Sequence, residues 1–151
     1  MGQLNQGAAF TKGVLGTTVS KAYTPLVVET KTLFTVSGLC VITSFLGEVT
    51  TAITAANTVK LQANPTTGTT KDIFAATDLG TTDTPAGNII SFDALTGDTP
   101  ETGPGIAPML TRWLAVAAGT IEQVTATGAD GGITWYLTYV PIAAGATIVA
   151  A

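Results

Sequence analysis

The chain reads as an all-β protein: a single β-sandwich or jelly-roll-like domain preceded by an extended N-terminal arm. Three observations carry that reading. Threonine supplies roughly a fifth of the 151 residues, and its branched β-carbon suits a pleated, half-buried surface. Short apolar or alternating runs recur about every ten residues with Gly, Pro and Asn between them, the spacing of sandwiches and jelly rolls. No stretch carries an apolar stripe of useful length at helical period. The length suits one domain, divided into an arm over residues 1–25 and a sandwich over 26–151.

Taken in order, residues 1–25 are rich in Gly, Gln, Thr and Ala. Phe10, Val14, Leu15, Val19 and Tyr23 are too scattered for a strand or helix stripe. The stretch has two readings, an arm ordered by a neighbour or a frayed terminus. Residues 33–36 form the first apolar run and lead through Ser37 and Gly38 into 39–46. That second run is apolar at both parities, as a central strand covered on both faces would be. Residues 49–54 continue with Val49, Thr51 and Ile53 on one face. Over 57–63, Val59, Leu61 and Ala63 alternate with Thr58, Lys60 and Gln62, and Asn64-Pro65 ends the run before a turn at 66–70. Shorter strands are expected at 73–79 and 89–92. Pro100, Gly103, Pro104 and Pro108 mark 96–108 as an irregular surface loop. Strand signals resume at 109–116, 120–127 and 133–142. The glycine-rich stretch 128–132 predicts a hairpin between the last two. Ile133, Trp135, Leu137 and Tyr139 share one face of the final long strand, and residues 145–151 form a short apolar strand or arm.

Charge is scarce. Lys, Arg, Asp and Glu make up 11% of the chain, against about 25% in an average soluble domain. Surface scaling gives a monomer of this mass about 7,000 Å², or one charge per ~440 Å², close to the size of apolar patch that monomers avoid. Mean hydropathy is +0.44. Either Thr, Gln, Asn and Gly cover the surface or other subunits cover much of it, and the second is the favoured reading. The strongest apolar run is interrupted by Thr43 and Ser44 and falls far short of the ~20 residues of a spanning helix, so no membrane partner is expected. No basic region followed by an apolar one opens the chain, so no secretory signal is expected. Gln6 stands where a myristoylation motif wants Ser or Thr. The net charge of −4 and a sole arginine, Arg112, argue against nucleic acid as a partner.

The chemical vocabulary is equally short. Histidine is absent and Cys40 is the only cysteine, which removes the commonest proton-transfer group and the familiar zinc sites. Cys40 lies in an apolar run and reads as a buried, inert thiol. Residues 65–71 have glycine and lysine at the wrong spacing for a phosphate loop, and Gly103-Pro104-Gly105 lacks the third glycine of a dinucleotide site. Six acids without an intervening base, Asp72, Asp78, Asp83, Asp93, Asp98 and Glu101, offer oxygen ligands for calcium. They lack the tight alternating spacing of a calcium loop, and solvated loop acids are the favoured reading. Glu48 sits in apolar surroundings, where burial would demand a partner. Arg112 is the candidate, against a reading in which both lie in water at strand ends. Trp113, Trp135, Tyr136 and Tyr139 cluster late in the chain and could serve sugar recognition. Core packing is favoured for Trp135 and Tyr139, and an exposed role for Tyr136. No residue is assigned a catalytic, cofactor-binding or metal-binding role, and no enzyme is expected.

Three runs carry a resemblance: Leu33-Phe34-Thr35-Val36-Ser37-Gly38, Gly47-Glu48-Val49-Thr50-Thr51-Ala52-Ile53, and Leu61-Gln62-Ala63-Asn64-Pro65-Thr66-Thr67-Gly68-Thr69. So does the ending, Gly119-Thr120-Ile121-Glu122, then Thr134-Trp135-Tyr136-Leu137-Thr138-Tyr139-Val140-Pro141 and Gly145-Ala146. Over most of residues 32–151 the chain resembles a family of small tailed-bacteriophage virion proteins; the segment before residue 26 lies outside the likeness. The resemblance implies a capsid decoration (cement) protein, made in the bacterial host cytoplasm and carried on the capsid exterior. Its implied partners are the major capsid protein and further copies of itself, as a homotrimer. The pattern is one of strands and turns, and no catalytic residue carries over. A receptor- or glycan-binding β module of a phage tail is the competing class, although the chain lacks the repeats and coiled coils usual in tail fibres. A small hydrolase is disfavoured by the missing histidine.

Overall fold

In the computed structural model, residues 16–92, 99–106, 112–128 and 130–151 are described. They form eleven strands and, among the described residues, no helix: β1 (Thr17–Tyr23), β2 (Glu29–Val36), β3 (Cys40–Thr51), β4 (Thr58–Pro65), β5 (Lys71–Asp78), β6 (Asn88–Ser91), β7 (Glu101–Pro104), β8 (Leu114–Val116), β9 (Gly119–Thr125), β10 (Gly132–Pro141) and β11 (Ile148–Ala150). One antiparallel sheet runs β1-β10-β3-β6-β7, with β8 also paired to β3; the other runs β11-β2-β9-β4-β5. The eight strands β1-β10-β3-β6 and β2-β9-β4-β5 face each other as two interlocked Greek keys, the arrangement of a jelly roll. β7 and β8 lie in the long connection between β6 and β9, and β11 adds an edge after β10. The expected fold class is the observed one.

Phase shifts along the strands explain the apolar runs. In β3 the buried positions are Cys40 and Ile42, then Phe45, Gly47 and Val49. The parity changes at Thr43, where pairing to β10 slips between Thr138↔Ser44 and Tyr139↔Ile42. Such a bulge adds one residue and returns the apolar positions to the core. The run therefore looked apolar at both parities although only one face of β3 is fully buried. β3 runs on through 49–51, the first half of the continuation expected at 49–54. In β2 a second slip between Thr32 and Phe34 buries the neighbours Leu33 and Phe34 together.

The core is aromatic at its centre. Phe45 makes edge-on contacts with Phe34, Phe92 and Trp135 at 5.5–6.0 Å between centroids, and Phe74 packs on Phe92 and Trp135. Trp135 is fully buried and lies across β3 from Gly47, where a Cβ would stand 2.8 Å from Trp135 Cζ3. Its indole N–H donates to Gln123 Oε1 on the opposite sheet at 2.8 Å, and Gln123 Nε2 donates to Thr125 Oγ1 at 3.0 Å. A buried polar group is tolerable when its partner is present, and this chain of bonds ties the two layers together.

Three expectations need correction. The stretch 128–132 makes no hairpin, because β9 pairs with β2 and β4 while β10 pairs with β1 and β3. It arches from one sheet to the other. Gly131, at φ 78°, passes so close to residues 51–53 that a Cβ would lie 2.5 Å from the Ile53 side chain and 2.9 Å from the Ala52 carbonyl oxygen. Asp130 holds the arch by accepting from Thr54 N, Thr54 Oγ1 and Ala55 N at 2.6–3.1 Å. Second, the proposed arm over 1–25 extends too far: Thr17–Tyr23 is a strand of the main sheet, zipped to β10, and its residues 1–15 lie outside the described ones. Its scattered apolar residues misled because an edge strand buries little. Third, the expected loop 96–108 contains β7, paired to β6 through Asn88↔Pro104 to Ser91↔Glu101; proline is acceptable there because β7 is an edge strand among the described residues. Of this loop, 96–98 and 107–108 lie outside them, as do 109–111 of the strand expected at 109–116.

Candidate interaction surface

The outer face of the β1-β10-β3-β8 sheet is built by simple alternation. Ile133, Trp135, Leu137 and Tyr139 point into the core and are buried, so Thr134, Tyr136, Thr138 and Val140 point outward. Register brings neighbours onto the same face. Tyr136 stands between Ser20 and Leu46, Thr138 between Thr18 and Ser44, and Val140 beside Val41, which meets Ala115. Trp113, immediately before β8, is 71% exposed, and Tyr136 is 36% exposed. On β1, β3, β8 and β10 the one charge on this outer face is Glu48. Threonine hydroxyls bridge rows of the sheet, as in Thr18 Oγ1 to Thr138 Oγ1 at 2.9 Å.

The Tyr136 hydroxyl donates to Glu48 Oε2 at 3.2 Å. Partial desolvation, then the bond to Glu48 and its charge, raise the Tyr136 pKa. Glu48 thus has a partner other than the expected one. No ion pair joins it to Arg112 among the described residues, and Arg112 is exposed beside Trp113.

The opposite sheet presents a different chemistry on its outside. Glu122 is 8% exposed, yet it accepts from Gln62 Nε2 at 2.8 Å, Asn64 Nδ2 at 3.1 Å and Thr120 Oγ1 at 2.6 Å. Burial opposes its ionisation, and the three donors outweigh burial, so its pKa lies below the usual carboxylate value. Lys60 and Asp72 pair nearby at 2.8 Å. This polar ladder was not singled out from the sequence. Its signal was the alternation of Gln62 and Asn64 with Leu61 and Ala63.

The remaining candidates resolve into structural roles. Asp78 accepts from Thr81 Oγ1, Gly80 N, Thr81 N and Asn57 N, which hold its pKa far below the ordinary range. It fastens the 79–81 turn. Asp72 is in the ion pair above, and Asp83 is exposed. Asp93 and Asp98 lie outside the described residues. Cys40 is buried and its thiol pKa is raised by desolvation. Among the described residues no three His, Cys, Asp or Glu side chains converge on a metal-sized site, and no helix is long and apolar enough to cross a membrane. A pocket of about 330 Å³ lies where the β4–β5 turn meets β8 and β9. Val36, Ala63, Val116 and Ile121 line it, together with Thr67, Thr69, Thr120 and Lys71. These residues include no nucleophile–base pair.

No protein-family model, curated protein or solved structure matches the chain. The surface itself must therefore supply the functional argument.

Proposed function

We propose that this is a structural virion protein of a tailed bacteriophage, a decoration protein that binds the capsid exterior as an oligomer, most simply a trimer, and stabilises the shell by bridging capsid subunits. The supporting observation is the charge-poor face that carries Trp113 and Tyr136, with Glu48 as its one charge on these strands. Depletion of charge around aromatic anchors is how protein interfaces differ from other surface. The jelly roll is compatible with the reading, since it serves in viral capsids as well as lectins, but fold alone does not assign function.

Area supports bridging. Seven residues on each of β1, β10 and β3 and the three of β8, at about 4.8 Å between strands and about 3.3 Å rise, give a platform of roughly 380 Å². A standard interface takes about 800 Å² from each partner. One platform is thus about half an interface, and firm attachment calls for a second contact, from another copy or from the N-terminal segment. The glycan-binding alternative rests on the same exposed Trp113.

Binding of purified protein to shells of the encoding phage tests the reading. Trp113→Ala and Tyr136→Ala should each weaken attachment about 5- to 30-fold, as removal of a ~1–2 kcal/mol anchor does. Unchanged occupancy at limiting concentration would remove the platform from the account. Retention by an immobilised glycan, with no binding to shells, would favour the alternative.

A further inference from the structure

We propose that residues 17–22 exchange between copies: β1 leaves its own β10 at a hinge beside Tyr23 and pairs with the β10 of a second copy of this chain. The inference deepens the oligomeric part of the proposed function and rests on it.

β1 is the outer strand of its sheet among the described residues, held through seven register pairs from Thr17↔Tyr139 to Tyr23↔Ile133. Its side chains do little to fix it there. Thr18, Ser20 and Ala22 are exposed, Thr17, Val19 and Lys21 are half-buried, and Tyr23 alone belongs to the core. Detaching 17–22 would uncover one large apolar side chain of the strand, Val19. The core face of β10 would keep its packing against β3 and the opposite sheet. Edges with few buried contacts open first.

Beyond residue 22 the chain is pinned. The Tyr23 hydroxyl lies 2.9 Å from Glu29 Oε1 and 3.1 Å from the Val27 carbonyl, and it accepts from Val27 N at 3.2 Å. Leu26 is fully buried and its amide donates to Gly131 O at 3.1 Å. The division between a loosely held strand and a fixed anchor falls at Tyr23.

The β10 edge vacated from Thr134 to Tyr139 has the register and side-chain spacing to take one strand in particular, residues 17–22 of another copy. Every pair lost within the molecule is regained between molecules. The Lys21 ammonium, which donates to the Ala151 carbonyl, finds the same carbonyl on the neighbour. Residues 17–22 can span up to about 20 Å, so the hinge of one copy must sit beside the β10 edge of the next. Exchange passed in one direction around a ring closes on itself, as a trimer requires.

The test places a reporter across the pair. Thr18 and Thr138 face each other with hydroxyls 2.9 Å apart, so T18C/T138C forms a disulfide wherever β1 meets β10. The full chain is purified at high concentration, oxidised and run denatured without reductant, with each single variant as control for Cys40. Exchange yields covalent multimers. Disulfide-linked monomers alone, or no disulfide at all, would overturn it. Hydrogen exchange on the unmodified protein gives a second readout. Amides of 17–22 should gain at least tenfold protection between dilute and concentrated samples, and protection independent of concentration refutes exchange. Neither experiment uses shells, so loss of the exchange leaves shell binding to be judged separately.

Discussion

Trp135→Ala removes the largest fully buried side chain from the centre of the sandwich. Emptying a large aromatic site costs about 3–5 kcal/mol. The change also strips Gln123 of its indole donor. Gln123 is fully buried, and an orphaned polar group of this kind costs about 1–3 kcal/mol more. The sum, about 4–8 kcal/mol, is comparable with the whole stability of a domain, about 5–15 kcal/mol. The variant should therefore be unfolded or nearly so at 25 °C. Trp135→Phe divides the two contributions, since it keeps most of the ring volume and loses the hydrogen bond; it should lose about 1–3 kcal/mol. Urea unfolding followed by circular dichroism measures both, with the slope checked for two-state behaviour. An alanine variant within about 1 kcal/mol of the parent would refute the placement of Trp135 between the sheets.

Other perturbations address separate parts of the account. Gly47→Ala pushes a methyl against the Trp135 ring and should cost about 1–3 kcal/mol by overpacking; an unchanged urea midpoint contradicts that contact. Asp78, Asp130 and Glu122 all have folded pKa values below their unfolded ones. The unfolded chain thus binds more protons as pH falls below about 4–4.5, and stability present above that range is lost as pH drops through the folded values. Asp130→Asn should flatten the decline in urea midpoint as pH falls below about 4, and an identical profile would remove Asp130 from the explanation. Deleting residues 2–15 should leave the fold intact, whereas deleting 2–22 removes β1 and uncovers the β10 edge, an aggregation risk; equal solubility of the two truncations would contradict the role of β1. Light scattering at micromolar concentration should show an oligomer, and a monodisperse 15.2 kDa species would count against covered neutral surface.

Alternation along single strands was legible, and relations between strands were not. The inward set Ile133, Trp135, Leu137 and Tyr139 followed from period two, as did the outward position of Tyr136. The bulge at Thr43 disguised one half-covered strand as a doubly buried one, because a slipped register shifts parity without leaving a distinctive residue behind. The glycines at 128–132 announced a hairpin with a longer loop. Whether a turn joins neighbours or crosses between sheets depends on what its flanks pair with, here β2, β4, β1 and β3. β1 was missed because an edge strand needs backbone partners more than apolar side chains. Of the platform, Tyr136 and Val140 were visible from the same alternation, while Leu46 and Val41 joined it only through cross-strand register.

The central proposal is that the charge-poor face of the β1-β10-β3-β8 sheet is turned toward a protein shell. A cryo-EM map of particles carrying this protein measures that orientation directly. The account predicts copies seated on the capsid exterior with Trp113 and Tyr136 buried against capsid subunits. Particles bearing the protein with that face open to solvent, or with the protein confined to the tail, would contradict it.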